Sequence, residues 1–184
     1  MDRLPRVRES ERVFEGRIFA VRSDQIEFGD GRSQLLDIVE HPGSFAILAC
    51  PDAKSLVLVR QYRHPARAWL WEIPAGKAEL GESPLEGATR ELAEETGYRA
   101  ASAREIASFY MTPGFCEERL HLVFAEGLTQ GERHLDPDEE IEVRVVALGE
   151  AKAMAARGEI IDAKTLMAIL WLAGERTQLF PRGG

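Results

Sequence analysis

Apolar residues along the chain fall in short runs divided by turn residues. Phe45 to Cys50 and Ser55 to Tyr62 are nearly continuous in Leu, Val, Ile and Ala and join at Pro51-Asp52, which predicts two strands buried on both faces. Upstream, Arg17 to Phe28 and Ser33 to Glu40 flank Gly29-Asp30-Gly31 and read as a hairpin ahead of the main core. Leu70 to Ile73 predicts a short strand ending at Pro74, and Ala107 to Tyr110, Leu120 to Glu126 and Ile141 to Ala147 predict three more. Between these sets lies a helix: Ser83 can cap it, Pro84 suits its first position, and Gly97 is a left-handed stop. Glu150 to Arg157 and Asp162 to Leu172 have helical composition and end near Gly158 and Gly174. The order of strands, helix, strands and helices predicts a mixed α/β layered domain.

Length adds the scale. A chain of 184 residues, 45% hydrophobic and 29% charged, buries one good core and a small appendage. We expect an N-terminal β region over residues 1–41 and a main domain over 42–184. There is no apolar run near membrane-spanning length, and Met1 to Arg12 is mostly charged rather than signal-like, so a soluble cytoplasmic protein without a membrane partner is expected. Cys50 and Cys116 lack metal-ligand spacing and read as small hydrophobes. A net charge of −8 argues against polymeric nucleic acid as a partner but leaves a small anionic substrate open, since bound cations and a few arginines can reverse the local field.

The central helix carries the chemistry. Glu91, Glu94 and Glu95 stand at i, i+3 and i+4, so their charges share a face and repel. A hard divalent cation, which prefers oxygen ligands, would offset that repulsion, whereas the plainer alternative is a solvated acidic face. Arg90 is placed to pair with Glu94 at i+4 and Glu86 at i−4. His41, His64, His121 and His134 share no spacing and read as structural or surface residues.

From Gly76, through Glu82, Arg90-Glu91, Leu92 and Glu94-Glu95, to Gly97, the segment resembles the Nudix box; Tyr98, where an aliphatic residue is usual, is a mild departure. The resemblance implies an α/β/α sandwich with a mixed sheet, in which the box forms loop, helix and loop. It also implies hydrolysis of a nucleoside diphosphate linked to another group, with Mg2+ or Mn2+. By the same resemblance Glu94 and Glu95 would be metal ligands, Glu91 would share the site and Glu82 would support it. Arg90 would orient these acids, and the carbonyl of Ala75 would be a further ligand.

Outside the box, Val59-Arg60-Gln61-Tyr62-Arg63, Trp71-Glu72-Ile73-Pro74-Ala75 and Pro113, sixteen residues beyond Gly97, are similar to the ADP-ribose pyrophosphatase branch. That branch implies ADP-ribose as substrate and AMP and ribose 5-phosphate as products; GDP-mannose, another nucleotide sugar or FAD is the alternative. A third reading is a Nudix domain that senses nucleotides without catalysis. Arg63 is the candidate phosphate contact because a guanidinium grips phosphate in bidentate fashion. Arg60 is the second; strand alternation puts these two on opposite faces. Glu72 and Pro113 are carried over as substrate-side residues. The water-activating base is expected in the acidic stretch Asp136 to Glu142, at Glu139 or else Glu140, and Glu118 is a further partner for metal or water. Phe14, Phe19 and Phe45 are stacking candidates for adenine, with a core role the expectation for each. Similar enzymes are homodimers that exchange N-terminal strands, and the hairpin here suits that role.

Overall fold

A computed structural model of the protein describes residues 4–79, 81–135 and 140–175. The chain divides into two compact units, one made of Met1–Gly43 with Phe109–Leu120 and the other of Ser44–Ser108 with His121–Gly184.

The first unit is an antiparallel meander of β1 (Arg6–Glu15), β2 (Ala20–Glu27) and β3 (Ser33–Glu40). The predicted hairpin is present as β2 and β3, but β1 was not anticipated. Its sequence RVRESERVFE is exposed throughout, so no buried face imposes the alternation from which strands are read. The returning segment joins the meander through main-chain hydrogen bonds: the Val39 N–H donates to the Phe115 carbonyl at 2.7 Å, and the Glu117 N–H to the Val39 carbonyl at 3.0 Å.

The second unit holds the core. One sheet has the order β10-β5-β6, with β5 at Ser55–Arg63, β6 at Ala68–Glu72 and β10 at Ile141–Ala147. The other has the order β7-β4-β9-β8, with β4 at Ser44–Cys50, β7 at Ala75–Lys77, β8 at Tyr98–Tyr110 and β9 at Arg119–Gln130. The expected burial of the apolar strands holds: every residue of β4 is buried, as are Leu56 to Val59 of β5.

Helix α1 (Pro84–Thr96) begins and ends where its signals place it. The Ser83 hydroxyl accepts the Glu86 N–H, the Glu86 carboxylate accepts the Ser83 N–H, and Gly97 closes the helix at φ 76°. Its apolar side, Ala88 and Leu92, packs with Phe45, Ile47, Val57 and Val123. The approach is close at Gly87, where a Cβ would lie 2.2 Å from the Phe45 ring, so only glycine lets α1 seat on β4. Helices α2 (Leu148–Ala156) and α3 (Ala163–Leu170) follow, and α3 runs into a wider turn over Trp171–Glu175. No helix among the described residues is long and apolar enough to cross a membrane.

Candidate active site

Four successive devices bring the acidic face of α1 against the strand before it. Strand β7 pairs with the start of β4, aligning Ala75 with Ala46 and Gly76 with Phe45. The Ala75 N–H donates to Glu95 Oε2 at 3.2 Å, and Glu95 is buried at 3% exposure. A Cβ on Gly76 would lie 2.0 Å from Glu91 Cδ and Oε1, so the Glu91 carboxylate lies directly against the backbone. Arg90 then gathers the rest: Nε and Nη2 donate to Glu82 at 2.9 and 3.1 Å, and Nη1 donates to Glu91 at 3.0 Å and Glu94 at 2.7 Å.

Arg90 pairs with Glu94 as its spacing predicts, but its second expected partner is changed. Glu86 does not pair with it, because the Glu86 carboxylate is taken by the Ser83 N–H at 3.0 Å. Glu82, from the loop ahead of the helix, takes that place, and Glu79 stands 3.8 Å from Nη2. The hydrogen bonds that Arg90 donates hold Glu82 below the usual carboxylate range, and donating to Glu82, Glu94 and Glu91 pushes Arg90 up, so both stay charged.

The donors suit a hard cation. Glu82, Glu91, Glu94, Glu95 and the Ala75 carbonyl offer only oxygen, the ligand type Mg2+ and Mn2+ take. The arrangement is not that of a closed metal cage, however: no three His, Cys, Asp or Glu side chains among the described residues are grouped to hold a metal ion. Glu82, Glu91 and Glu94 close on the Arg90 guanidinium instead.

A second charged network stands at the end of β6. Arg63 donates from Nε and Nη2 to the two oxygens of Glu72 at 2.9 and 2.8 Å, a bidentate pair, and Glu72 is buried at 1% exposure. Lys164 Nζ donates to Glu72 Oε2 at 2.6 Å and to Asp162 Oδ1 at 2.8 Å. Burial alone would raise Glu72, but Arg63 and Lys164 outweigh it and leave it below the usual carboxylate range. Arg63 is held charged first by Glu72, with Glu95 and Asp162 adding to the attraction.

Arg60 is on the other face of β5, as alternation requires. Its guanidinium lies 5.7 Å from the Trp69 ring and 6.0 Å from the Trp71 ring, with Glu142 at 3.7 Å. Pro113 and Glu118 lie in the first unit, in the segment between β8 and β9; Pro113 is exposed and Glu118 half-buried. Glu140 is exposed just ahead of β10, while Glu139 lies outside the described residues. Of the stacking candidates only Phe45 is core. Phe14 and Phe19 are 52% and 43% exposed with ring centroids 5.9 Å apart, a correction to both: Phe14 lies on β1, which has no buried face, and Phe19 in the exposed connection between β1 and β2.

Neither the burial of Lys164 nor its pairing with Asp162 was legible in the sequence. Asp162 carried a visible signal only as a helix cap, and nothing in the local pattern marks Lys164 as buried. Gln61, two residues before Arg63 on the same side of β5, carried no such signal either; its Nε2 is buried without a hydrogen-bond partner among the described residues. An orphaned donor of this kind costs about 1–3 kcal/mol until an acceptor reaches it.

Comparisons with known proteins place this geometry. Over 164 residues the chain is 41% identical to the ADP-ribose pyrophosphatase of Bacillus subtilis, covering 88% of this chain and 89% of that one. It is 39% identical over 166 residues to the methanol dehydrogenase activator of Bacillus methanolicus, covering 89% and 90%. A crystal structure of an ADP compounds hydrolase, 23% identical, superposes with a TM-score of 0.82 over 96% of this chain and 95% of that one, which shows a common mixed α/β fold. The NUDIX domain model matches residues 40–168, a span that contains β4, α1, the Arg90 hub and the Arg63–Glu72 pair, and the chain thus belongs to the Nudix family.

Proposed function

We propose that this protein hydrolyses ADP-ribose to AMP and ribose 5-phosphate, with Mg2+ as cofactor and Mn2+ as its substitute. The observation that carries the reading is the pair of networks in one unit: a carboxylate face organised by Arg90, and the partly exposed guanidinium of Arg63 held by the buried Glu72. Glu91, Glu94 and Glu95, with Glu82 in support and the Ala75 carbonyl, would hold the cation. When bound, the cation supplies neutralisation of the diphosphate oxygens, which otherwise repel an incoming nucleophile. Arg63 grips a phosphate oxygen with the donors that Glu72 leaves outward, and its side chain is 40% exposed for that contact. Glu139, or else Glu140, takes the proton of the attacking water. The water oxygen joins one phosphorus, the bridging P–O bond breaks, and two phosphate monoesters form as the water's protons are released.

The similarity to an ADP-ribose pyrophosphatase over nearly nine-tenths of each chain supports this substrate over other nucleoside diphosphate derivatives. A substrate panel with magnesium, with products resolved by chromatography, is expected to give AMP from ADP-ribose and no turnover after chelation. GMP from GDP-mannose with no AMP from ADP-ribose would overturn the substrate. Tight nucleotide binding without any turnover would favour a sensor.

We also propose a cytoplasmic homodimer in which the N-terminal strands serve the partner's site. The exposure of Val7, Val13 and Phe14 along β1 supports this, since a strand without a buried face gains little by pairing only with β2. Sedimentation equilibrium is expected to give the mass of two chains; the mass of one chain at micromolar concentration counts against it.

A further inference from the structure

We propose that Lys164 is a positioning residue for substrate: it shares the charge of Glu72 so that Arg63 stays free to bind phosphate. The inference rests on the reading that Arg63 contacts the substrate's phosphate.

The four charges of the network differ sharply in access. The side chains of Glu72, Lys164 and Asp162 are 2%, 11% and 13% exposed, whereas Arg63 is 40% exposed. Only Arg63 can meet a ligand, and the others act through it. A bidentate Arg–Glu pair standing alone would leave each partner neutralised by the other. Here Glu72 Oε2 is divided between Arg63 Nη2 at 2.8 Å and Lys164 Nζ at 2.6 Å, and Asp162 balances the added cation. Two cations and two anions sum to zero, and the outermost member is a cation. Without Lys164 the cluster would carry a net negative charge where a diphosphate must arrive, and the whole charge of Glu72 would fall on Arg63.

The placement of Lys164 is not explained by the helix that bears it. It lies in the first turn of α3, where a cation opposes the helix dipole, and lysine is rarely buried. The same turn is built to hold it in place. Asp162 Oδ2 accepts the Thr165 N–H at 3.0 Å and the Thr165 hydroxyl, and Thr165 Oγ1 accepts the Ile73 N–H at 2.8 Å. The start of α3 is thereby bonded to the backbone next to Glu72, two residues before Ala75.

The test is a double-mutant cycle in steady-state kinetics with ADP-ribose and magnesium. Lys164→Met and Arg63→Met are each expected to raise KM about tenfold, the scale of one charge-assisted hydrogen bond, with smaller changes in kcat. The double variant is expected to match Arg63→Met alone, because Lys164 has no other route to the substrate. A purely structural role for Lys164 would instead multiply the two effects. An unchanged KM in Lys164→Met, or a multiplicative double, overturns the inference while leaving Arg63 as the phosphate contact. An unchanged KM in Arg63→Met overturns both that contact and the inference, whereas a lack of AMP from the parent enzyme points to the wrong substrate. If circular dichroism shows Lys164→Met unfolded, Lys164→Gln, which keeps a donor without the charge, enters the same cycle under the same criteria.

Discussion

Glu94→Gln is expected to lower magnesium-dependent turnover of ADP-ribose about a thousandfold, the rate equivalent of roughly 4 kcal/mol of lost transition-state stabilisation. Glu94 lies one turn beyond Arg90 and is bonded to it at 2.7 Å, with its side chain 42% exposed. An amide of the same shape keeps the helix intact but is a weaker ligand for a hard cation and carries no charge to attract it. Thermal unfolding should therefore shift little, since a half-exposed ion pair contributes at most about 1 kcal/mol. Steady-state rates across a magnesium titration, with the unfolding midpoint measured on the same preparation, provide the check. Turnover equal to the parent's would sink the assignment of Glu94 as a ligand.

Arg90→Met is expected to cost about 10- to 100-fold in turnover, the usual penalty for losing a residue that orients metal ligands. The guanidinium binds Glu82, Glu91 and Glu94 at once, and only a planar fork of donors can do that. Methionine preserves much of the bulk while leaving the carboxylates facing each other without a common counter-ion. Part of the loss should return at high magnesium, because added cation replaces some of the missing charge. Isothermal titration with magnesium decides between two roles. Weaker binding in the variant means that Arg90 organises the ligands; tighter binding, with turnover at or above the parent level, would mean that it competes with the metal for them.

Helix α1 was legible to the residue at both ends, because capping and the left-handed stop are local chemistry: Ser83, Pro84 and Gly97 act on atoms within a few positions of themselves. Strands β4 and β5 were legible because burial on both faces demands continuous apolar residues. The structure differs where a neighbour competes for a group. Glu86 faces Arg90 on a helical wheel, yet the Ser83 N–H claims its carboxylate. Strand β1 was missed because exposure erases the pattern, and β7, only three residues long, exists through its pairing with β4.

The candidate site divides along the same line. Its acids, its arginine and its bounding glycines lie within one stretch of chain, so spacing alone put Glu91, Glu94 and Glu95 on one face and marked the segment as a place for oxygen-ligated chemistry. Tertiary structure decided which partner each charge takes: Glu82 rather than Glu86 on Arg90, Glu95 on the Ala75 N–H, and Lys164 on Glu72 from ninety-two positions away. The reason is the range of the forces. Helix periodicity and capping act over a few residues and are written locally, whereas a buried charge takes whichever counter-charge the folded chain brings within about 3 Å, and that choice does not exist until the sheets and helices have packed.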